Sequence, residues 1–268
     1  MPKTNFRPDV NGFAFSNRWE IDPAEVENVR IALRGATSFA RTALIFFQAS
    51  PLTWLTIRRT RDKLNAWIDE ASIQAYGLCG GMAFAALDYY ARPDIKFPRG
   101  KGIEARPSPG DTRGKPLRAY LFKRLLDSLA DNVPTFLVWM AFLHIIPDNP
   151  IFGGGPRWLA RQSASQWEKL KGYIDVDKAW PIGLVGTTTD PTHNHQVVAC
   201  GYDDPGDGTG VIYIYDMNHP EAEQAIQITF GDQMLEAKEK FTDNRGELRG
   251  FFCERYTPRL DPPAVAWP

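Results

Sequence analysis

The spacing of apolar residues changes once along the chain, near residue 180, and this change restricts the folds open to it. Before that point, several long runs repeat apolar residues at helical spacing. After it, four short β-branched and aromatic runs are separated by turn residues: IGLVGTT, HQVVACGYDD, GVIYIYDM and AIQITFG. Such runs are typical of an antiparallel sheet. Helices followed by strands predict an α+β fold.

The helical half begins with a clear start signal. Asp22-Pro23-Ala24-Glu25 has the form of a capping box with proline at the first helical position, so a long helix is expected from there. Further helices are predicted over 52–72, 117–132, 135–146 and 157–174.

Residues 91–116 interrupt the helices with prolines and glycines and carry seven Lys or Arg against three Asp or Glu. A loop of this length is either a solvated connector or a binding segment.

Composition excludes several classes of protein. With 43% hydrophobic residues, the 268-residue chain can fill a large core. A net charge of -1 provides no overall field for nucleic acid or anionic lipid, so no nucleic-acid or membrane partner is expected. The N-terminus lacks the apolar core of a signal peptide, and the longest apolar run, over 136–146, is too short to span a bilayer. We therefore expect a soluble, cytoplasmic protein, although export without a cleaved signal would leave no trace in the sequence.

The cysteines point to thiol chemistry rather than to a disulfide framework. Cys79, Cys200 and Cys253 are odd in number, widely spaced and form no CxxC pair. Cys200 and Cys253 lie in apolar, strand-like segments and are expected to be inert core thiols. Cys79, in GLCGGMAFAALDYY, lies between glycines at the start of an apolar helical run. There the helix dipole and the unpaired N–H groups favour a thiolate, and the glycines leave room for a substrate backbone.

A thiolate nucleophile needs a base and a group that orients the base. His195 opens the run HQVVACGYDD, and the next run ends in Asp216, with Asn218 two residues further on. If the turn DDPGDGTG joins these runs as adjacent antiparallel strands, Asp216 comes to lie beside His195. The sequence thus predicts a Cys79–His195–Asp216 triad, with Asn218 as the alternative third member.

These motifs resemble those of the papain-like cysteine peptidase superfamily. NHQVVACGYDD is similar to the papain-type histidine strand, LCGGMAFA resembles the start of the cysteine helix less closely, and IYIYDMNHP is nearer to the Asp-ending strand of C39-like members. The resemblance covers roughly residues 72–220. It implies a two-lobe fold in which a helical lobe carries Cys79 and an antiparallel sheet lobe carries His195 and Asp216.

The resemblance also implies roles and boundaries. Cys79 would be the nucleophile, His195 the general base and then acid, Asp216 the orienting group, and Gln74, five residues before Cys79, the oxyanion donor. Residues 1–70 would form an N-terminal helical extension, cap or pro-segment. A catalytic domain would span 71–256, with its helical lobe over 71–175 and its sheet lobe over 176–256, and 257–268 would be an extended tail.

The expected function is that of a cysteine hydrolase that acts as a peptidase on a peptide or protein substrate without a cofactor. No metal is expected, because His193 and His195 lack further ligands at the usual spacing, and DDPGDGTG lacks the glutamate of a calcium loop. The alternatives are a non-catalytic papain-like binding module and an acyl transferase of transglutaminase type acting as a toxin or effector. The sequence leaves the oligomeric state open.

Overall fold

The structure, a computed structural model, describes residues 1–20, 22–46, 78–144, 155–187, 194–220, 222–231, 235–239 and 247–267. These residues form five helices and six strands: α1 Pro8–Asn11, α2 Pro23–Phe46, α3 Cys79–Tyr90, α4 Lys115–His144, α5 Gly155–Ile174, β1 Trp180–Gly186, β2 His195–Asp203, β3 Thr209–Tyr215, β4 Gln224–Phe230, β5 Leu235–Glu239 and β6 Glu247–Cys253. The α+β prediction is confirmed. None of the helices in the described residues is long and apolar enough to cross a membrane.

The helical part largely follows the predicted starts and ends. The Asp22 side chain accepts a hydrogen bond of 2.9 Å from the Ala24 N–H, as expected for a helix N-cap. The helix predicted over 52–72 lies outside the described residues. Residues 91–114 form the expected loop, which contains neither helix nor strand.

The prediction of two separate helices over 117–132 and 135–146 is wrong, because a single helix, α4, covers this region and includes Pro134 in its interior. A proline at this point removes one helical hydrogen bond and normally ends or kinks a helix. Here Val133 and Leu137, on either side of it, are buried against Leu33 of α2. This burial favours continuation of the helix over the local preference for a break.

The strands form one antiparallel sheet that closes into a barrel in the order β1-β2-β3-β4-β5-β6, with β6 pairing back to β1. The four predicted strands correspond to β1–β4. The strands β5 and β6 are additional, and β5, with the sequence LEAKE, has no β-branched residue to predict it. Its pairing with β4 and the burial of Leu235 and Ala237 inside the barrel stabilise it instead.

Two cores lie on opposite faces of β2. Val197 and Ala199 point into the barrel, whereas Val198 and Cys200 pack against the helices and against the N-terminal segment, residues 1–20. This segment is anchored by a backbone bridge between Lys3 and Gly201 on β2. Alternate residues of β2 therefore belong to different cores, and the sheet has no solvated face along this strand.

Candidate functional site

Cys79 is the first residue of α3, as predicted. The residue before it, Leu78, is fully buried, and its carbonyl accepts the Met82 N–H at 2.7 Å, which closes the first turn. The N–H groups of a first turn have no partner within the helix, so they are directed toward the region around the Cys79 thiol and favour negative charge there. Gln74 lies outside the described residues.

His195 and Asp216 come together as the hairpin predicts. Val198 on β2 pairs with Tyr215 on β3, so three residues further out His195 lies opposite position 218 and next to Asp216. The His195 Nε2 is 2.6 Å from the Asp216 Oδ1, and the side chains are 14% and 2% exposed. A short, nearly dry contact of this kind is a charge-assisted hydrogen bond.

Burial, the interaction between the two side chains and the neighbouring groups together set the protonation of this pair. Burial lowers the pKa of His195, but the charge and hydrogen bond of Asp216, together with an interaction with the Cys79 side chain, raise it well above its usual value. Burial raises the pKa of Asp216, and His195 and the Asn218 N–H more than offset this, so the net shift is downward. A charged imidazole next to Cys79 and an ionised Asp216 follow from these shifts.

Asn218, the alternative third member, lies beside the same ring nitrogen at a longer distance. Its Nδ2 is 3.2 Å from the His195 Nε2, and its backbone N–H donates to the Asp216 Oδ1 at 2.8 Å. Of the two groups that approach this nitrogen, Asp216 presents an acceptor oxygen, whereas Asn218 presents its NH2 group. Because Asp216 is also closer, the geometry favours it as the partner of the imidazolium. Asn218 then helps to hold the carboxylate in place.

A buried polar cluster beneath Cys79 was not predicted from the sequence. The Gln196 Nε2 donates to the Ser128 Oγ at 2.6 Å and to the Glu254 Oε1 at 2.5 Å. Because both amide hydrogens are used in this way, the Gln196 Oε1 is left to face the thiol, 3.9 Å from the Cys79 Sγ. The only hint in the sequence was that Gln196 follows His195 directly, on the face of β2 turned toward the helices.

Glu254, at the back of this cluster, is 1% exposed. Burial raises the pKa of Glu254 to about 8, against the opposing hydrogen bond from Gln196. Its Oε2 has no hydrogen-bond partner among the described residues. Near neutral pH the side chain is therefore mostly protonated, which avoids the high cost of a bare carboxylate in this dry position.

Gly80 makes room for the cluster, and Gly80→Ala tests this. A Cβ at position 80 would lie 2.1 Å from the Gln196 Oε1 and 2.6 Å from the Ser128 Oγ, so the carboxamide would have to leave its position. We expect a loss of about 1–3 kcal/mol in the free energy of unfolding, measured by urea denaturation. In Gly172→Ala, the matched control on α5, a Cβ meets nothing within 4 Å, and this variant should be as stable as the parent or up to about 1 kcal/mol more stable. Equal stability of Gly80→Ala and the parent would contradict this account of Gly80.

The other cysteines are placed as predicted. Cys200 and Cys253 are buried, and burial raises the pKa of each thiol to about 12. His193 lies outside the described residues. Within the part of the chain that the structure describes, no three His, Cys, Asp or Glu side chains are grouped so that they could hold a metal ion. DDPGDGTG forms the β2–β3 turn, as expected.

Comparison with protein-family models, curated proteins and solved structures gives no match for this chain.

Proposed function

We propose that the protein is a cysteine hydrolase, acting as a peptidase through a Cys79–His195–Asp216 triad. The single observation that carries this proposal is the 2.6 Å contact of a buried carboxylate with His195, an imidazole that also interacts with the side chain of Cys79 at a helix N-terminus. Cys79 opens α3, His195 opens β2 and Asp216 directly follows β3. A charged imidazole, an orienting carboxylate and a thiol are the groups that nucleophilic amide hydrolysis requires.

The overall arrangement supports a papain-like organisation. Cys79 belongs to the helical part of the molecule, His195 and Asp216 belong to the barrel, and a substrate would bind where the two meet. Papain-like enzymes divide their catalytic groups between a helical and a sheet lobe in the same way. We propose this relationship on the division of roles and on the sequence motifs.

In the proposed reaction, the Cys79 thiolate attacks the carbonyl carbon of the scissile amide. The developing oxyanion would lie near the free N–H groups of the first turn of α3, with Gln74 as the second donor predicted from the sequence. His195 then gives its proton to the leaving amine as the C–N bond breaks, which leaves a thioester on Cys79. A water molecule, deprotonated by His195, attacks the thioester and releases the acid, and the thiol is restored.

Gln196 does not serve as an oxyanion donor in this scheme. Its amide hydrogens are directed away from Cys79, toward Ser128 and Glu254. Its Oε1 instead faces the Cys79 Sγ, where it can accept a hydrogen bond from the neutral thiol but not from the thiolate. We infer that Gln196 orients the thiol and that donation to the oxyanion comes from the α3 side of the site.

The pH dependence of Cys79 alkylation by iodoacetamide tests the proposal. Because the pKa of His195 is raised, an imidazolium is available at pH 6 to stabilise the thiolate, and we expect Cys79 to react rapidly there with a broad plateau up to pH 8. Cys200 and Cys253, buried and with pKa values of about 12, serve as internal controls that should stay unlabelled in the folded protein. Mass spectrometry assigns the labelled residue.

A Cys79 rate that only climbs toward pH 8.5, as for a free thiol, would contradict the proposed thiolate pair. A peptide-library digestion with Cys79→Ala as the control separates hydrolysis from binding. Cleavage by the parent and none by the variant is expected, whereas an alkylation plateau without cleavage of any peptide would exclude peptidase activity.

A further inference from the structure

Asn17 belongs to the N-terminal segment but reaches both halves of the candidate site. Its Oδ1 accepts the backbone N–H of Leu78 at 2.7 Å, and Leu78 is the residue immediately before Cys79. Its Nδ2 donates to the Asn218 Oδ1 at 3.4 Å, and the Asn218 Nδ2 lies 3.2 Å from the His195 Nε2. Asn17 therefore lies between the start of the nucleophile helix and the imidazole.

Two donors at Asn17 determine how the side-chain amides of Asn17 and Asn218 are oriented. The Leu78 N–H and the Trp19 Nε1–H, 3.1 Å away, are donors only, so the group facing them must be the Asn17 oxygen. The Asn17 NH2 group is then directed at Asn218, which must turn its own oxygen toward Asn17. The amide orientation of Asn218 at His195 thus follows from the hydrogen bonds at Leu78 and Trp19.

The N-terminal segment holds Asn17 firmly in this position. The Asn17 N–H donates to the Met217 carbonyl at 2.9 Å, between Asp216 and Asn218 in sequence. Phe15 and Trp19, two residues to either side, are buried in the core that contains α3, with their rings 5.8 Å apart. These buried aromatic side chains and the hydrogen bond to Met217 hold the backbone on both sides of Asn17 in place.

We propose that Asn17 is a positioning residue that sets the placement of Cys79 relative to His195, an inference that rests on the proposed function. It acts on Cys79 through Leu78, and on His195 through Asn218, whose backbone N–H donates to the Asp216 Oδ1 that binds the imidazole. The N-terminal segment is accordingly part of the working site and not a pro-segment that activation would remove. An enzyme that lost these residues would keep its triad side chains but not their mutual placement.

The ratio of Cys79 alkylation rates at pH 6.5 and pH 9.5 measures this placement. At pH 9.5 most thiols are ionised whatever their neighbours, whereas at pH 6.5 the thiolate depends on His195. We expect Asn17→Ala to lower the ratio about tenfold or more, because a displacement of about 1 Å between catalytic groups can lower a reaction rate by up to about a hundredfold. His195→Ala sets the lowest ratio that the assay can give.

Asn5→Ala is the matched control. Asn5 lies in the same segment and ties it to Asp177, just after α5, with its backbone N–H 2.7 Å from the Asp177 Oδ1 and its side-chain amide 2.5 Å from the Oδ2. This variant loosens the segment without touching the site, so its ratio should match that of the parent. Should Asn17→Ala fail to fold, Asn218→Ala breaks the same connection from the other end and should lower the ratio similarly.

The outcomes separate the two proposals. A parent ratio equal to that of His195→Ala would overturn the thiolate pair itself. A high parent ratio that Asn17→Ala and Asn218→Ala leave unchanged would overturn the role of Asn17 and leave the triad standing. An equal fall in Asn17→Ala and Asn5→Ala would reduce Asn17 to an anchor of the N-terminal segment.

Discussion

His195→Ala should slow the alkylation of Cys79 at pH 6.5 by about a hundredfold. The raised pKa of His195 means that the parent carries an imidazolium beside the thiol at this pH. Without that partner the thiol should behave as an ordinary one, which is only about 1% ionised two pH units below its midpoint of about 8.5. At pH 9.5 the two proteins should differ little, since the thiol is then ionised in both. Stopped-flow or quenched alkylation followed by mass spectrometry gives both rates.

His219→Ala is the matched control for this loss. His219 lies on the same turn, and its backbone N–H donates to the Asp216 carbonyl at 3.0 Å. Of the groups that lower the pKa of Asp216, His219 has the smallest effect. The rate at pH 6.5 should therefore stay within about twofold of the parent value, as expected for a partly screened charge. A loss as large as that of His195→Ala would mean that the charge of the whole turn, not the imidazole of His195, stabilises the thiolate.

The sequence predicted the parts of the site that depend on local pattern. Cys79 at a helix start follows from its glycine flanks and the apolar run after it, and the approach of Asp216 to His195 follows from two alternating runs joined by a short turn. Both signals lie within about 25 residues of the groups that they place. The α+β class follows in the same way, because the spacing of apolar residues within each segment distinguishes a helix from a strand.

The remaining features depend on contacts between distant parts of the chain. Barrel closure needs β5 and β6, and the sequence of β5 has helix-forming residues that only its strand partners hold extended. Asn17 and Glu254 reach the site from opposite ends of the chain, 62 residues before and 175 residues after Cys79. The spacing of nearby apolar residues does not identify a residue whose role depends on a partner so far away in the chain. Pro134 is the converse case, in which tertiary burial overrides a strong local signal.

The largest expected loss of stability is that of Asp88→Ala, near the far end of the nucleophile helix. Asp88 is 0% exposed and contacts the Arg124 Nε at 2.7 Å, and its carboxylate accepts hydrogen bonds from the hydroxyls of Tyr120 and Tyr256, both at 2.9 Å. It also accepts the Arg259 N–H at 2.8 Å, so it joins α3 to α4 and to the C-terminal segment that follows β6.

Removing this carboxylate leaves the Arg124 guanidinium, itself 2% exposed, with a buried charge that Asp127 compensates from one side only. Breaking a buried ion pair from one end costs about 3–5 kcal/mol, and urea unfolding at pH 7 should show a loss of this size. Asp127→Ala is the matched control, because Asp127 is 27% exposed and its removal leaves the Asp88–Arg124 contact intact, so the expected cost is about 1 kcal/mol or less. Equal losses in the two variants would mean that Arg124 is compensated by Asp127 and solvent rather than by Asp88. The C-terminal segment would then be held to α3 mainly by its backbone hydrogen bonds and apolar contacts.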